Sequence, residues 1–226
     1  MNREKKSIVI LADGNYPVAP YPLELLQKAD CIICCDASVL KLKGVEPHYI
    51  VGDMDTLGAE YAEKYKNIIH KSSCQETNDQ TKAFSFALGL VPPGTEADIH
   101  ILGTTGGRED HTLGNISLLM EYTKSTGKAI APFNNIMHEG INVDIVTDNG
   151  IFTPHFNSFE KRCRAGQQIS IISFDNTIRI KSTGLRYPTD NATFEFWWSG
   201  TLNEATGESF SLEFSHSAPV LLFMLY

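Results

Sequence analysis

The stretch IVGDMDTLG, from Ile50 to Gly58, is the segment most informative about the first half of the chain. A short apolar run meets a glycine and then two aspartates, Asp53 and Asp55, one residue apart. Short apolar runs bounded by Gly and Asp are typical of buried strands in parallel sheets. On extended backbone the two carboxylates would face the same way, roughly 6.6 Å apart by strand rise. That spacing suits two ligands of one divalent cation, although aspartates are also common in turns and caps.

The rest of the first half alternates strand-like runs with helical patterns. The apolar, β-branched runs are SIVILADG (7–14), CIICCDAS (31–38), YIVGDMD (49–55), NIIHKS (67–72) and DIHILGTTGG (98–107), and helical patterns cover residues 23–28, 38–42, 60–65, 79–90 and 110–125. Continuous apolar strands separated by helices predict a mainly parallel sheet covered on both faces.

The second half has a different pattern. From about Gly166 it contains the runs QQISIISF, TIRIKS, ATFEFWW, ESFSLEF and PVLLFMLY, separated by turn residues. This arrangement predicts an antiparallel β-sandwich. A strong turn signal, Asn149-Gly150, lies between the two patterns. We therefore expect an α/β N-terminal domain with a mainly parallel sheet over residues 1–146, followed by an all-β sandwich C-terminal domain over residues 147–226.

Composition limits the classes of partner. The 226 residues include 19 Lys and Arg against 27 Asp and Glu, a formal charge of −8, which argues against a nucleic-acid or anionic-membrane partner. No apolar stretch approaches the roughly 20 residues that span a bilayer. The five cysteines are odd in number and lack a regular framework, which suits a reducing compartment. We expect a cytoplasmic protein that acts on small molecules.

Acids or glycines end four of the five apolar runs in the first half. They are Asp13-Gly14, Asp36, the Asp53 and Asp55 pair, and Gly103 with Gly106-Gly107. Because the carboxyl ends of parallel strands share one edge, where ligands bind in open α/β folds, these residues are predicted to form one site.

Two further segments add charged groups to this edge. Asp79 and Lys82 share a face of a predicted helix. They form a surface ion pair, or else Asp79 adds a third carboxylate to the metal site and Lys82 contacts a phosphate oxygen. In LGTTGGREDHTLGN, glycines free the backbone to approach a phosphate and Arg108 can grip it, although Asp110 is also a plausible helix cap and His111 a packed histidine. Acids, a lysine, an arginine and glycine-rich turns are the components of phosphoryl transfer, but no Walker A motif occurs.

A series of motifs along nearly the whole chain resembles the thiamine pyrophosphokinase family. In family order, they are LADGNYP, CCDAS, YIVGDMDT, TNDQTKA, LGTTGGREDHTLGN, STGLRYP and TLNE. The resemblance implies a homodimer that moves a diphosphate group from ATP to the hydroxyethyl oxygen of thiamine and releases AMP. It also implies Mg²⁺ as the cofactor and a thiamine site at the subunit interface.

The resemblance also implies roles for individual residues. The catalytic positions are Asp53, Asp55, Asp79, Lys82, Arg108 and Asp110, and the first three would hold Mg²⁺. Nucleotide-binding positions are Asp36, Gly52, Thr81, Gly106, Gly107, His111 and Asn115, and thiamine-binding positions are Tyr187, Asn203 and Glu204. Either Asp79 or Asp110 would accept the hydroxyl proton.

Three positions depart from the family pattern. Asp13 stands where a second glycine is usual, CDASV replaces the usual ADGGA, and Leu202 replaces a serine. An extra carboxylate at Asp13 would repel a triphosphate unless it points away or binds metal, so Asp13 receives no catalytic role.

Two other classes of function remain open from the sequence. One is a different metal-dependent enzyme, a nucleotide hydrolase or a nucleotidyl or sugar transferase, because paired aspartates hold Mg²⁺ or Mn²⁺ there too. The other is a non-catalytic sensor of thiamine or nucleotide on the same fold.

Overall fold

The structure is a computed structural model that describes residues 5–74, 76–127 and 140–226. The chain divides into two compact units, Met1–Asp148 and Asn149–Tyr226. Within the described residues, no helix combines the length and apolar character needed to cross a membrane.

The first unit is an α/β unit built on one parallel sheet. Its elements are β1 (Lys6–Leu11), α1 (Pro20–Lys28), β2 (Cys31–Cys35), a 3₁₀ helix (Asp36–Lys41), β3 (Tyr49–Gly52), α2 (Ala59–Lys64), β4 (Ile69–Lys71), α3 (Asp79–Gly89), β5 (Ala97–Leu102), α4 (Glu109–Gly127) and β6 (Ile141–Val146). The strand order is β6-β5-β1-β2-β3-β4, and every pair is parallel. This confirms the predicted mainly parallel sheet.

Apolar residues on both faces of the strands explain this architecture. Val9 and Ile10 are consecutive and therefore point to opposite faces of β1, yet both are fully buried. Helices must then cover both faces, as parallel strands require. Two of these helices also pack on each other, since Phe84 of α3 stacks on Tyr122 of α4 with ring centroids 4.2 Å apart.

The loops after β1 and β5 are joined by backbone hydrogen bonds at the carboxyl edge of the sheet. Gly14 N donates to Gly103 O at 2.7 Å, and Asn15 N donates to Thr105 O at 2.8 Å. A Cβ atom on Gly14 would lie only 2.4 Å from Gly103 O, so this approach requires glycine.

The second unit consists of two antiparallel sheets. Its elements are β7 (Gly150–His155), β8 (Phe159–Arg162), β9 (Gln168–Ser173), β10 (Ile180–Thr183), a 3₁₀ helix (Trp197–Ser199), β11 (Gly200–Glu204), β12 (Ser209–Phe214) and β13 (Val220–Leu225). One sheet has the order β11-β9-β13-β7 and the other β10-β12-β8. Ile169 and Leu222 of the first sheet share a buried cluster with Ile180 and Leu212 of the second. This confirms the predicted all-β second half.

One local prediction was wrong, and the bounds of another differ from the structure. The aromatic run ATFEFWW (192–198) is not a strand but an irregular segment that enters the short helix Trp197–Ser199. Its Phe194 is buried in the core cluster, so the segment is held by side-chain packing and not by strand pairing. The helix predicted at 38–42 is present, but it is a 3₁₀ helix that spans Asp36–Lys41.

Candidate active site

A cleft of about 340 Å³ lies within the first unit, among loops that follow the parallel strands. Eight of the residues predicted from sequence line it, namely Asp36, Asp53, Asp79, Lys82, Gly107, Arg108, His111 and Asn115. Asp13, Gly14 and Thr104 line it as well. The cleft therefore lies at the edge of the sheet where the predicted strand ends collect.

Three carboxylates form a tight group in this part of the unit. One oxygen from each of Asp36, Asp53 and Asp55 lies within 4.8 Å of the others. The extended geometry expected for the two aspartates after β3 was wrong, because Met54 has a φ of +64° and Asp55 N donates to Asp53 Oδ1 at 3.3 Å. Carboxylate oxygens are the ligands that Mg²⁺ and Ca²⁺ prefer, so this turn offers a divalent-cation site.

Asp36 is the most unusual member of the group. Its φ is +41°, a costly conformation for a residue other than glycine, and its side chain is only 3% exposed. Neither carboxylate oxygen has a hydrogen bond of normal geometry in the described chain. Burial raises the pKa of Asp36, and the charges of Asp79 and Asp55 add to that shift, while weak hydrogen bonding from the Thr56 hydroxyl and backbone N–H lowers the pKa in part. A buried carboxylate that lacks well-formed hydrogen bonds is stabilised by a proton or a cation, so Asp36 fits a metal ligand.

Lys82 places a buried positive charge among these acids. Its Nζ lies 2.8 Å from Asp79 Oδ1 and 3.7 Å from Asp53 Oδ2, and the residue is 8% exposed. Burial alone would lower the pKa of Lys82, but the hydrogen bond with Asp79 and the charges of Asp79 and Asp53 outweigh it, so the pKa is raised. Lys82 is therefore an ammonium at neutral pH.

The carboxylate of Asp79 contacts Lys82 and is outside the group formed by Asp36, Asp53 and Asp55. Its assignment as a metal ligand stays a prediction. The position of Asp79 is fixed by the start of α3, where the Asn78 side chain caps the helix by accepting from Thr81 N at 2.9 Å. The hydroxyl of Thr81 pairs with Tyr122 OH at 2.7 Å, so this side chain serves helix packing and does not line the cleft.

Arg108 and Asp110 form a two-point ion pair at the start of α4. Arg108 Nε lies 3.1 Å from Asp110 Oδ1, and Nη2 lies 2.6 Å from Oδ2. The hydrogen bond from Arg108 lowers the pKa of Asp110, and a bond from His111 N adds to this shift. Arg108 and His111 line the cleft whereas Asp110 does not, so Asp110 orients the guanidinium.

Asn115 connects three elements around the cleft. Its Oδ1 accepts from Asn78 Nδ2 at 3.0 Å, and its Nδ2 donates to Thr104 O at 3.3 Å. Its backbone carbonyl accepts from Gln80 Nε2 at 3.2 Å. Asn115 thus fixes the start of α3 relative to the loop after β5.

Sequence reasoning missed Gln80 and Thr104. Both line the cleft, and each buries one side-chain oxygen, Oε1 of Gln80 and Oγ1 of Thr104, without a hydrogen-bond partner in the described chain. Neutral polar residues carry no charge pattern, so only their position in the motifs TNDQTKA and LGTTGG could have drawn attention to them.

The three glycines predicted to bind nucleotide have different positions in the structure. Gly107 lines the cleft. Gly106 has a φ of +83°, and a Cβ there would lie 2.2 Å from Asn15 Nδ2, so it shapes the turn. Gly52 is also outside the cleft lining, and a Cβ there would lie 3.1 Å from the Cβ of Asp36.

The second unit has a cleft of its own, of about 360 Å³, which Tyr187, Leu202 and Asn203 help to line. The Asn203 side chain is buried against the backbone of Tyr187: Nδ2 donates to Tyr187 O at 2.7 Å and Oδ1 accepts from Tyr187 N at 3.1 Å. The Tyr187 ring is 58% exposed, with the Arg186 guanidinium 5.8 Å from its centroid. Glu204 does not line this cleft and lies 3.4 Å from Arg186 Nη1.

Two family models match the chain. Residues 23–131 match thiamin pyrophosphokinase, catalytic domain, and residues 150–223 match thiamin pyrophosphokinase, substrate-binding domain.

Individual relatives agree with these models. Thiamine pyrophosphokinase 1 of Oryza sativa subsp. japonica is 30% identical over 67% of this chain, which spans 56% of that protein. Thiamin pyrophosphokinase 1 of Caenorhabditis elegans is 26% identical over 85% of this chain and 79% of its own length. The solved structure of thiamin pyrophosphokinase from Candida albicans has the same fold, with a TM-score of 0.76 and 19% identity over 97% of this chain and 89% of that one. The chain belongs to the thiamin pyrophosphokinase family.

Proposed function

We propose that this chain is an ATP:thiamine diphosphotransferase, which moves the terminal two phosphates of ATP to the hydroxyethyl oxygen of thiamine and releases AMP. The observation that carries the proposal is the convergence of the three-acid group Asp36, Asp53 and Asp55 with the buried ammonium of Lys82 in a chain of this family. Such a combination suits a metal-bound polyphosphate.

Mg²⁺ is the cofactor in this proposal. The donors fit it, because they are hard oxygen ligands and one of them, Asp36, is a buried carboxylate without a hydrogen bond of normal geometry in the described chain. We assign Asp36, Asp53 and Asp55 to hold the ion; Asp79, which the sequence also predicted as a ligand, is paired with Lys82 and is assigned to proton transfer instead. When bound, Mg²⁺ supplies positive charge against the phosphate oxygens.

The cationic side chains bind the rest of the transferred group. Lys82 is charged and buried, so its attraction for a phosphate oxygen is little screened by water. Arg108 is exposed at the rim of the cleft, and Asp110 orients its guanidinium. The planar guanidinium can bind a phosphate through the same two donors that now bind the carboxylate. Fixed donors of this kind stabilise the charge that develops on phosphate oxygens during transfer.

Asp79 is the better of the two predicted proton acceptors. Asp110 has a lowered pKa because of Arg108, and it is outside the cleft lining. Asp79 lines the cleft. We therefore assign acceptance of the hydroxyl proton to Asp79.

Thiamine is a cation with aromatic rings, and the second unit offers groups that suit it. The exposed ring of Tyr187 provides an aromatic face, and Glu204 provides a carboxylate in the same strand-and-loop region. We assign thiamine binding to Tyr187, Asn203 and Glu204, with Asn203 fixing the backbone of Tyr187.

We further propose that the protein is a homodimer with its thiamine site at the subunit interface, and that it works in the cytoplasm. Phe196, Trp197 and Trp198, a few residues before Leu202 in the sequence, are exposed as Leu202 is, and a group of exposed apolar residues suits an interface. All five cysteines are free thiols, which suits a reducing compartment. Sedimentation velocity of the purified chain measures the subunit number directly.

The product of ATP cleavage tests the activity. Purified protein is incubated with ATP and Mg²⁺, with and without thiamine, and the nucleotides and thiamine esters are separated chromatographically. We expect AMP and thiamine diphosphate in equal amounts, both dependent on thiamine. ADP or free phosphate formed without thiamine would indicate a hydrolase, and binding of thiamine and ATP without turnover would indicate a sensor.

A further inference from the structure

Lys41 is an unassigned residue that makes three short contacts at the cleft. Its Nζ lies 2.6 Å from Asp13 O, 2.9 Å from Gly14 O and 2.6 Å from Asp13 Oδ1. An ammonium has three N–H donors, so these acceptors use all of them. The Asp13 carboxylate, which the family pattern does not anticipate, is therefore paired and does not stand as an isolated charge beside the nucleotide.

The contacts join two segments that both line the cleft. Asp13 and Gly14 follow β1, while Lys41 ends the 3₁₀ helix whose first residue is Asp36. The same helix has a second anchor to β1, because the buried Ser38 hydroxyl donates to Leu11 O at 2.8 Å. Its position relative to the sheet is thus set by two side chains.

Asp36 needs such anchors. Its positive φ is strained, and its carboxylate lies among the charges of Asp53, Asp55 and Asp79, which Lys82 offsets only in part and which repel it when no metal ion is bound. Repulsion favours movement of the 3₁₀ helix away from β3. The contacts of Lys41 and Ser38 with the β1 segment oppose that movement.

We propose that Lys41 is a positioning residue for the metal site: it ties the 3₁₀ helix to the loop after β1 and so holds Asp36 within reach of Asp53 and Asp55. The inference deepens the proposed function, since it takes the acid group to be its cation site. The ion pair with Asp13 is itself worth little, because both side chains are partly exposed. The link between the 3₁₀ helix and the loop after β1 therefore depends on the two hydrogen bonds from Lys41 to backbone carbonyls.

Mn²⁺ binding to the full chain tests this role without turnover. Free Mn²⁺ is followed by electron paramagnetic resonance during titration of wild type, K41M, S38A, D13N and K43M. Loss of a supporting residue around metal ligands typically weakens metal affinity about 10- to 100-fold, so we expect that loss in K41M. S38A should also weaken Mn²⁺ binding, because it removes the other anchor.

Two variants separate geometry from charge. D13N removes the carboxylate charge but keeps both backbone carbonyls that accept from Lys41. K43M removes a positive charge two residues from Lys41; the Nζ of Lys43 lies 5.6 Å from the centroid of the Tyr16 ring. We expect both variants to bind Mn²⁺ about as well as wild type, since neither breaks the carbonyl link. Unchanged Mn²⁺ affinity in K41M, or an equal loss in K43M or D13N, would overturn the proposal.

The outcome is independent of the reaction assay. If wild type forms thiamine diphosphate while K41M binds Mn²⁺ normally, the role of Lys41 is refuted and the proposed function stands. If K41M loses Mn²⁺ affinity while wild type forms no thiamine diphosphate, the positioning role stands and the proposed function fails. A wild type that binds no Mn²⁺ overturns the positioning role.

Discussion

A Cβ atom on Gly52 would lie 3.1 Å from the Cβ of Asp36. Gly52 ends β3 and Asp36 follows β2, and these two strands are paired neighbours. The absence of a side chain at Gly52 therefore permits the position of the buried carboxylate. The contact explains why glycine occupies position 52, which the sequence motif alone did not explain.

Gly52→Ala should reduce turnover more than it reduces stability. The new methyl group must displace Asp36 by a few tenths of an ångström, and small displacements of groups that bind substrate are costly to catalysis. We expect kcat to fall at least about tenfold. Gly89→Ala is the matched control, because its Cβ would meet nothing within 4 Å. Equal kcat values for the two variants would contradict this role of Gly52.

Arg108→Ala should weaken ATP binding. Hydrogen bonds to charged groups contribute about 1.5 to 3 kcal/mol, so we expect the KM for ATP to rise about tenfold or more. Asp110→Asn keeps the guanidinium and removes only its partner, and should have a smaller effect on KM. If the Asp110 variant had the larger effect, Asp110 and not Arg108 would be the group that acts on the nucleotide.

Asn203→Ala should affect thiamine and not ATP. The Asn203 amide binds the N–H and C=O of Tyr187, and its loss leaves that backbone without these partners. We expect the KM for thiamine to rise about tenfold, the scale of losing one or two hydrogen bonds, with the KM for ATP unchanged. Tyr187→Phe keeps the ring and should resemble wild type. A parallel rise in both KM values would place the effect outside the thiamine site.

Protonation of His155 should lower the free energy of unfolding in mild acid. Burial lowers the pKa of His155 from 6.5 to about 4, with a further contribution from Lys161. Because the folded pKa lies below the unfolded value, the stabilising effect is complete above pH 6.5 and is lost as the pH falls toward 4. The loss is on the order of 2 to 3 kcal/mol.

The matching variant is His155→Phe, which keeps a ring against Phe159, whose centroid is 3.7 Å away, but cannot titrate. Thermal unfolding midpoints measured at pH 7.5 and pH 4.5 should differ less in this variant than in wild type. An identical pH dependence in both proteins would contradict the assignment to His155.

The sequence was sufficient to predict the parallel sheet and the edge at which its acids and glycines collect, because buried parallel strands give long apolar runs whose ends lie at one side. It could not predict the turn at Met54, since a positive φ at methionine has no local signal. The extended spacing assumed for Asp53 and Asp55 failed for that reason. The assignment of Asp36 to the acid group also required the fold. The parallel pairing of β2 and β3 brings Asp36 beside Asp53 and Asp55, which are distant from it in the sequence.

The aromatic run at 192–198 misled for a different reason. Its residues favour strands, but Phe194 is used to fill the core while Phe196 and Trp198 are exposed and stack on each other 6.4 Å apart. Residues with high strand propensity are those that suit a half-buried surface. Here the segment has such a surface although it does not pair with another strand.

The most direct test of the account is the rate of thiamine-dependent AMP formation in Asp53→Asn and Asp55→Asn, measured with saturating ATP and Mg²⁺. Each variant keeps the side-chain shape while removing one carboxylate of the acid group. We predict a fall of at least about 100-fold in each, the scale seen when a main charge stabiliser is lost. Near-normal AMP formation by both folded variants would contradict the claim that these acids hold the cation used in diphosphate transfer.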